Sequence, residues 1–224
     1  MTETPLPEQE QRRERAVSTH SRDIEGTRRL AGGVFFALGA GFLTVVMLAA
    51  AMVPGYDFRN GAISDLGVAP ETALVFNGLL VLAGIANIAG GYLLYRVHGR
   101  RWLLGTFVLA GIGAVVTGVF PLDTGAPHSL GALFAFVFFN LQALGLATRL
   151  TGVLQWLSAL AGALGLVFVV VMVVGDAGNT AVFGPFGHGG TERLIVYPVM
   201  LWLVALGGYL LGGGSLTGTA VGGR

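Results

Sequence analysis

The stretch Leu30-Ala-Gly-Gly-Val-Phe-Phe-Ala-Leu-Gly-Ala-Gly-Phe-Leu-Thr-Val-Val-Met-Leu-Ala-Ala-Ala-Met-Val53 carries no charged side chain from end to end. A bilayer core takes about 20 consecutive apolar residues of helix to cross, so this segment is long enough to span. It must do so as a helix, because lipid offers no partner to an unpaired backbone N–H or C=O and a helix satisfies both within one segment. Five more uncharged apolar segments follow, over 73–95, 102–120, 129–147, 152–174 and 194–211. The expected architecture is an all-α integral membrane protein, a bundle of six transmembrane helices.

Composition agrees. Of the 224 residues 54 % are hydrophobic and 11 % charged, against about 25 % charged in soluble domains. Glycine-rich runs such as Ala83-Gly84, Gly111-Ile112-Gly113 and Gly207-Gly208 fit membrane helices, where small residues allow close approach; Gly208 and Gly212 stand at the four-residue spacing of such contacts. Cysteine is absent, which excludes disulfides, thiolate metal sites and cysteine nucleophiles. All thirteen basic residues are arginine, a pattern that a high-GC coding bias explains. A net charge of +1 and the lack of a basic stripe give no sign of nucleic acid as a partner. Membrane lipids are the expected partner, and nothing in the sequence identifies a protein one.

Two tails flank the bundle. Residues 1–29 are polar, with mixed Glu and Arg, and lack the early apolar stretch and cleavage site of a secretory signal; they read as a disordered or surface-lying cytoplasmic tail. Residues 212–224 are rich in Gly, Ser and Thr and read as flexible. Orientation follows from arginine. With the N-terminus inside, eleven arginines (the six of the tail with Arg96, Arg100, Arg101, Arg149 and Arg224) face the cytoplasm, and only Arg59 and Arg193 face out. The positive-inside rule then predicts both termini in the cytoplasm of a multi-pass plasma-membrane protein.

This topology sends the chemistry outward. The outer connections hold Asp57, Asp65, Glu71, Asp123, Asp176 and Glu192, and loops are where binding and catalytic groups concentrate. Ser64 and Asp65 orient a water or substrate hydroxyl, or else cap a turn that Gly67 completes. Asp123 and His128, bent toward each other by Gly125 and Pro127, form a carboxylate-oriented base, or else Asp123 ends a turn while Ser129 caps the fourth helix. His188 and Glu192 have the four-residue spacing of two metal ligands on one helical face, although Gly189-Gly190 between them argues against a helix. The alternative is that Thr191 caps the last helix with Glu192 at its positive end. Arg193 pairs with Glu192 or, with Arg59, holds a lipid phosphate or carboxylate. Asn77, Asn87, Asn140 and Gln142 lie within spans, where hydrogen bonds between helices account for them.

The order Ser64-Asp65-Leu66-Gly67, Phe120-Pro121 with Asp123, His128, and Glu192-Arg193, each at the end of an apolar segment, resembles an uncharacterised membrane family, the domain of unknown function numbered 998, over roughly 30–211. That resemblance implies a six-helix bundle and no established activity. The chain is more loosely similar to membrane hydrolases of the alkaline ceramidase and adiponectin-receptor class, which pair a Ser and an Asp with three zinc-binding histidines. By that likeness His128 and His188 are zinc ligands; the class, however, has seven helices and a histidine pair four apart on its last, where this chain has His188 and Glu192. Two functional classes follow: a non-enzymatic carrier or accessory membrane subunit, and a membrane-embedded hydrolase or transferase acting on a lipid or isoprenoid-type substrate at the outer leaflet. In the second, Asp65, Asp123, His128 and Glu192 are the catalytic candidates and Ser64, Arg59 and Arg193 the binding ones. The lack of any charge deep in a span counts against an ion or proton pump.

Overall fold

The computed structural model describes residues 8–217. Six helices are long and apolar enough to cross a membrane: α1 (Glu8–Met52), α2 (Ala73–His98), α3 (Arg101–Val119), α4 (Ala126–Ala147), α5 (Gly152–Asp176) and α6 (Gly187–Leu211). Short 3₁₀ turns at Ile63–Gly67, Leu122–Thr124 and Thr180–Phe186 shape the longer connections, and no strand occurs among the described residues. Consecutive helices pack as neighbours, and α6 returns against α1, so the six close into a ring; α4 also reaches α6 across the interior. The protein is therefore a polytopic helical membrane protein, in contact with lipid along its apolar outer surface.

Small residues set the helix spacing. A Cβ on Gly84 would strike the carbonyl oxygen of Gly111, and one on Gly111 that of Gly84; α2 and α3 thus cross backbone to backbone. Gly32 and Gly207 make the equivalent crossing of α1 and α6. Gly208, expected as a packing residue, faces open space. Polar residues then tie the ring across its core. Asn87 donates to the Phe107 carbonyl at 2.9 Å and exchanges a reciprocal pair of 3.2 Å amide bonds with Gln142. Asn140 reaches the Ile195 carbonyl on α6 at 3.2 Å.

Both tails differ from expectation where they are described. Instead of a disordered segment, α1 continues without a break back to Glu8. The segment is rich in good helix formers and carries a Glu25–Arg29 pair at 2.6 Å, a four-residue spacing that supports a helix. At 45 residues α1 is about 68 Å long, so roughly half of it projects past the bilayer core. At the other end, residues 212–217 are strapped to the bundle rather than loose. Arg28 donates to the Gly214 carbonyl, the Thr217 N–H to the Arg149 carbonyl at 2.7 Å, and Leu216 is buried. Residues 1–7 and 218–224, with Arg224, lie outside the described residues.

The three longer connections share the end of the bundle opposite the two termini, and the candidate residues gather there.

Candidate functional site

Glu192 stands on the second turn of α6 and points into the bundle, 4 % exposed. One carboxylate oxygen accepts the Ile63 N–H at 2.5 Å and the other accepts the Ser64 hydroxyl at 3.0 Å. Among the described residues no cation forms an ion pair with it. A buried carboxylate without a counter-ion is costly, and inside a membrane protein such a group marks a functional site by default.

Helix α6 carries Glu192 this deep because its first turns are glycine. A Cβ on Gly189 would collide with the Gly61 carbonyl, and one on Gly187 with that of Arg59; the Gly190 N–H then bonds the Arg59 carbonyl at 3.1 Å. The glycines that argued against a helix are thus what lets the first loop lie on it. The helix begins at Gly187, so Thr191 is an interior residue, fully buried, and caps nothing.

Beside Glu192 lies a cavity of about 480 Å³. Its polar end is made by Ser64, Asp65, His128, Asp176, His188 and Glu192; its apolar walls are Ala132, Leu133 and Phe136 from α4 and Val169, Met172 and Val173 from α5. Leu133 and Val173 are exposed on the outside of the bundle, so the cavity reaches the cleft between α4 and α5. No arginine lines it.

The geometry fixes one proton of His128 in place. Its Nδ1 lies 2.8 Å from the Phe120 carbonyl, an acceptor only. Nδ1 therefore carries the proton, and a neutral ring keeps its lone pair on Nε2. The ring is 3 % exposed and lines the cavity. His188 instead takes Asp176 as a partner, Nε2 to Oδ1 at 3.1 Å, with its ring edge-on to Phe183 at 5.2 Å. Asp176, the last residue of α5, has no assigned role on sequence grounds; its place at the end of a span is the signal. Asp65 accepts the Ala62 N–H at 2.8 Å and so caps its own 3₁₀ turn while lining the cavity. Gly67 is the last residue of that turn, and its missing side chain makes room for Asn77, which donates to the Gly67 carbonyl at 2.8 Å.

The remaining candidates lie apart. Asp123 is exposed on its 3₁₀ turn and does not line the cavity, so it does not orient His128. The Ser129 hydroxyl lies 3.3 Å from the Gly125 carbonyl and donates there rather than capping α4. Arg59 donates to the Pro185 carbonyl at 3.1 Å, joining the first loop to the third. Arg193, next to Glu192, turns away from it. Nη1 donates to the carbonyls of Phe58, Gly61 and Gly189 at 3.0, 2.9 and 2.7 Å, and Nη2 to the Tyr56 hydroxyl at 2.7 Å. Its guanidinium also sits over the rings of Tyr56 and Phe58. Burial raises the Tyr56 phenol above its ordinary value, against the pull of Arg193, and the hydroxyl donates to the Ala62 carbonyl. Arg193 is thus a clamp on the first loop, its Nη1 shared among three carbonyls and its Nη2 given to Tyr56, while its buried Nε–H has no partner among the described residues. No three of His, Asp or Glu gather as a metal-holding set among the described residues, so the zinc expectation at His128 and His188 finds no third protein ligand.

The fold and site together define a six-helix integral membrane protein with a polar cavity at the end of the bundle that bears the long connections. The chain belongs to the family described as Protein of unknown function (DUF998), whose model matches residues 36–209. No curated protein and no solved structure matches it.

Proposed function

We propose that the protein binds an amphiphile of the membrane in this cavity, as a carrier or as the lipid-holding subunit of a larger assembly. The observation that carries the reading is the two-part lining: an acid- and histidine-bearing end joined to an apolar wall reaching the cleft between α4 and α5. Pockets for small molecules are mostly apolar with a few placed polar groups, and a lipid presents the same division. We place the site at the outer leaflet of the plasma membrane, with both termini in the cytoplasm, on the strength of the arginine asymmetry.

The test is lipid analysis of detergent-purified protein beside an Ala132→Phe variant, in which the added ring fills the apolar wall. The expected result is a lipid enriched in the wild type over bulk membrane and missing from a variant that is still folded. Identical lipid in both would sink the proposal.

A membrane-embedded hydrolase or transferase is the second reading, favoured by His128. With Nδ1 taken by the Phe120 carbonyl, Nε2 is the ring nitrogen left free in a residue that lines the cavity with Ser64 and Glu192, so it is the proton acceptor of that reading, with Ser64 held by Glu192 to position a substrate hydroxyl or water. Asp65 lines the same end; Asp123 and zinc take no part in it. Time-dependent chemical change of the bound lipid, abolished in His128→Ala, separates this reading from simple carriage.

A further inference from the structure

The outer cavity does not stop at Glu192. A second void of about 40 Å³ begins at Ser64 and Glu192, the same residues that end the first, and continues between Phe76, Ala114, Thr117 and Ala135. A third, of about 50 Å³, follows between Ala83, Ala114, Ala135, Val199 and Met200, with only apolar atoms exposed to it. Phe136 lines all three voids, and Val196 both inner ones. The voids therefore line up as one seam into the middle of the bundle, between α1, α2, α3, α4 and α6 and away from the α4/α5 cleft, separated from one another by the side chains they share. Along α6 it runs from Glu192 to Met200, about 12 Å at the rise of an α-helix.

Resting on the amphiphile reading, we propose that the ligand is a single-chain lipid with a hydroxyl or amine head, whose chain enters this seam rather than the lipid-facing cleft. The head follows from the groups around it. Glu192 and Asp65 face the cavity without an arginine, Asp176 being partnered by His188, so the polar end beside Glu192 favours a hydrogen-bond donor or a cation and opposes phosphate or carboxylate. Ser64 and Ile63 already donate to Glu192, and a donor head completes what the missing counter-ion leaves open. The chain follows from width. The path is walled by alanines at 83, 114 and 135, and its voids of about 40 and 50 Å³ leave room for the end of one narrow chain and not for two. Phe136, partly exposed and common to all three voids, is the side chain that must rotate to join them.

The test uses the full-length protein in nanodiscs with two photoreactive alkylamines, one bearing a diazirine at the chain end and one beside the head, each competed by excess unlabelled alkylamine. The expected result is chain-end labelling at Val199, Met200 or Phe139 and head-side labelling near His128. In Ala135→Phe the chain-end label falls by roughly tenfold while the head-side label persists. Ala114→Leu, on the facing wall, serves if that variant does not fold. The matching fatty acid is expected to compete at least about tenfold less well than the amine or the alcohol. Chain-end labelling on Leu133, Phe134 or Val173, with head-side labelling intact, would overturn the inner seam and leave amphiphile binding standing. Equal competition by the fatty acid would overturn the head assignment. Absence of competable labelling by both probes would overturn the amphiphile reading itself.

Discussion

Replacing Arg193 with Met removes the guanidinium while keeping most of its length, and the structure lets the cost be worked out acceptor by acceptor. The Gly189 carbonyl lies within α6 and keeps its backbone partner. The Gly61 carbonyl is left to share the single Tyr56 hydroxyl proton, at 3.2 Å, with the Ala62 carbonyl. The Phe58 carbonyl is left without the donor the structure gives it, a loss of about 1–3 kcal/mol. Two guanidinium–ring contacts go as well, at about 0.5–2 kcal/mol each. Removing the desolvation cost of a buried charge offsets part of this, leaving about 3 kcal/mol of destabilisation. Arg193→Lys is expected to lose about half as much, because one ammonium cannot reach the Tyr56 hydroxyl and the loop carbonyls together. The assay is reversible unfolding in mixed micelles, with limited proteolysis reporting release of the first loop. A stability change within about 0.5 kcal/mol for Arg193→Met, accompanied by loss of bound lipid, would refute the clamp and make Arg193 a ligand-binding group.

Gly111→Leu is expected to cost at least about 1–3 kcal/mol and loosen the α2–α3 crossing, since a side chain there meets the Gly84 backbone; cysteine cross-linking yields across that pair would fall. Asn87→Leu leaves the Gln142 amide without its reciprocal partner and should cost about 1 kcal/mol by the same unfolding assay; an unchanged midpoint would show that the pair contributes nothing. Asp57 is held below the usual carboxylate range by the Arg59 backbone N–H and then by the Asn60 side chain. Its contribution is therefore present above the ordinary carboxylate pKa and lost as pH falls through the lowered one. Asp57→Asn should flatten the acid limb of first-loop protection in hydrogen exchange, and an unchanged acid limb would count against that coupling.

The spans were legible because lipid imposes one rule on every residue that faces it. Length and lack of charge located all six helices, and four of the six, α2 to α5, start and end within about three residues of the expected boundaries, while the starts of α1 and α6 lie well before theirs. The exceptions have local causes. α1 extends back to Glu8 through residues whose polarity marked them as outside the bilayer but says nothing against a helix. The start of α6 was hidden by Gly187, Gly189 and Gly190, whose low helix propensity is outweighed by the close packing of the first loop upon them. Propensity describes a residue alone, and these glycines answer to a neighbour far away in sequence.

The site was legible as a set of residues and not as a set of directions. Ser64, Asp65, His128, His188 and Glu192 all line one cavity, and their positions at span ends were the signal that gathered them. Glu192 and Arg193 are adjacent in sequence and look like a natural ion pair, yet on a helix neighbours stand about 100° apart. One turns inward to Ser64 and the other clamps the loop. That divergence leaves the carboxylate buried beside a cavity without its own cation, and it could be recovered only from the phase of α6, which the glycines had concealed. Asp123 shows the converse: five residues from His128 it seemed the natural orienting acid, but the carbonyl of Phe120 holds Nδ1 instead. A backbone acceptor leaves no trace in a sequence. It fixes the same tautomer as a carboxylate would while adding no charge, so His128 lines a cavity whose negative groups all belong to other elements.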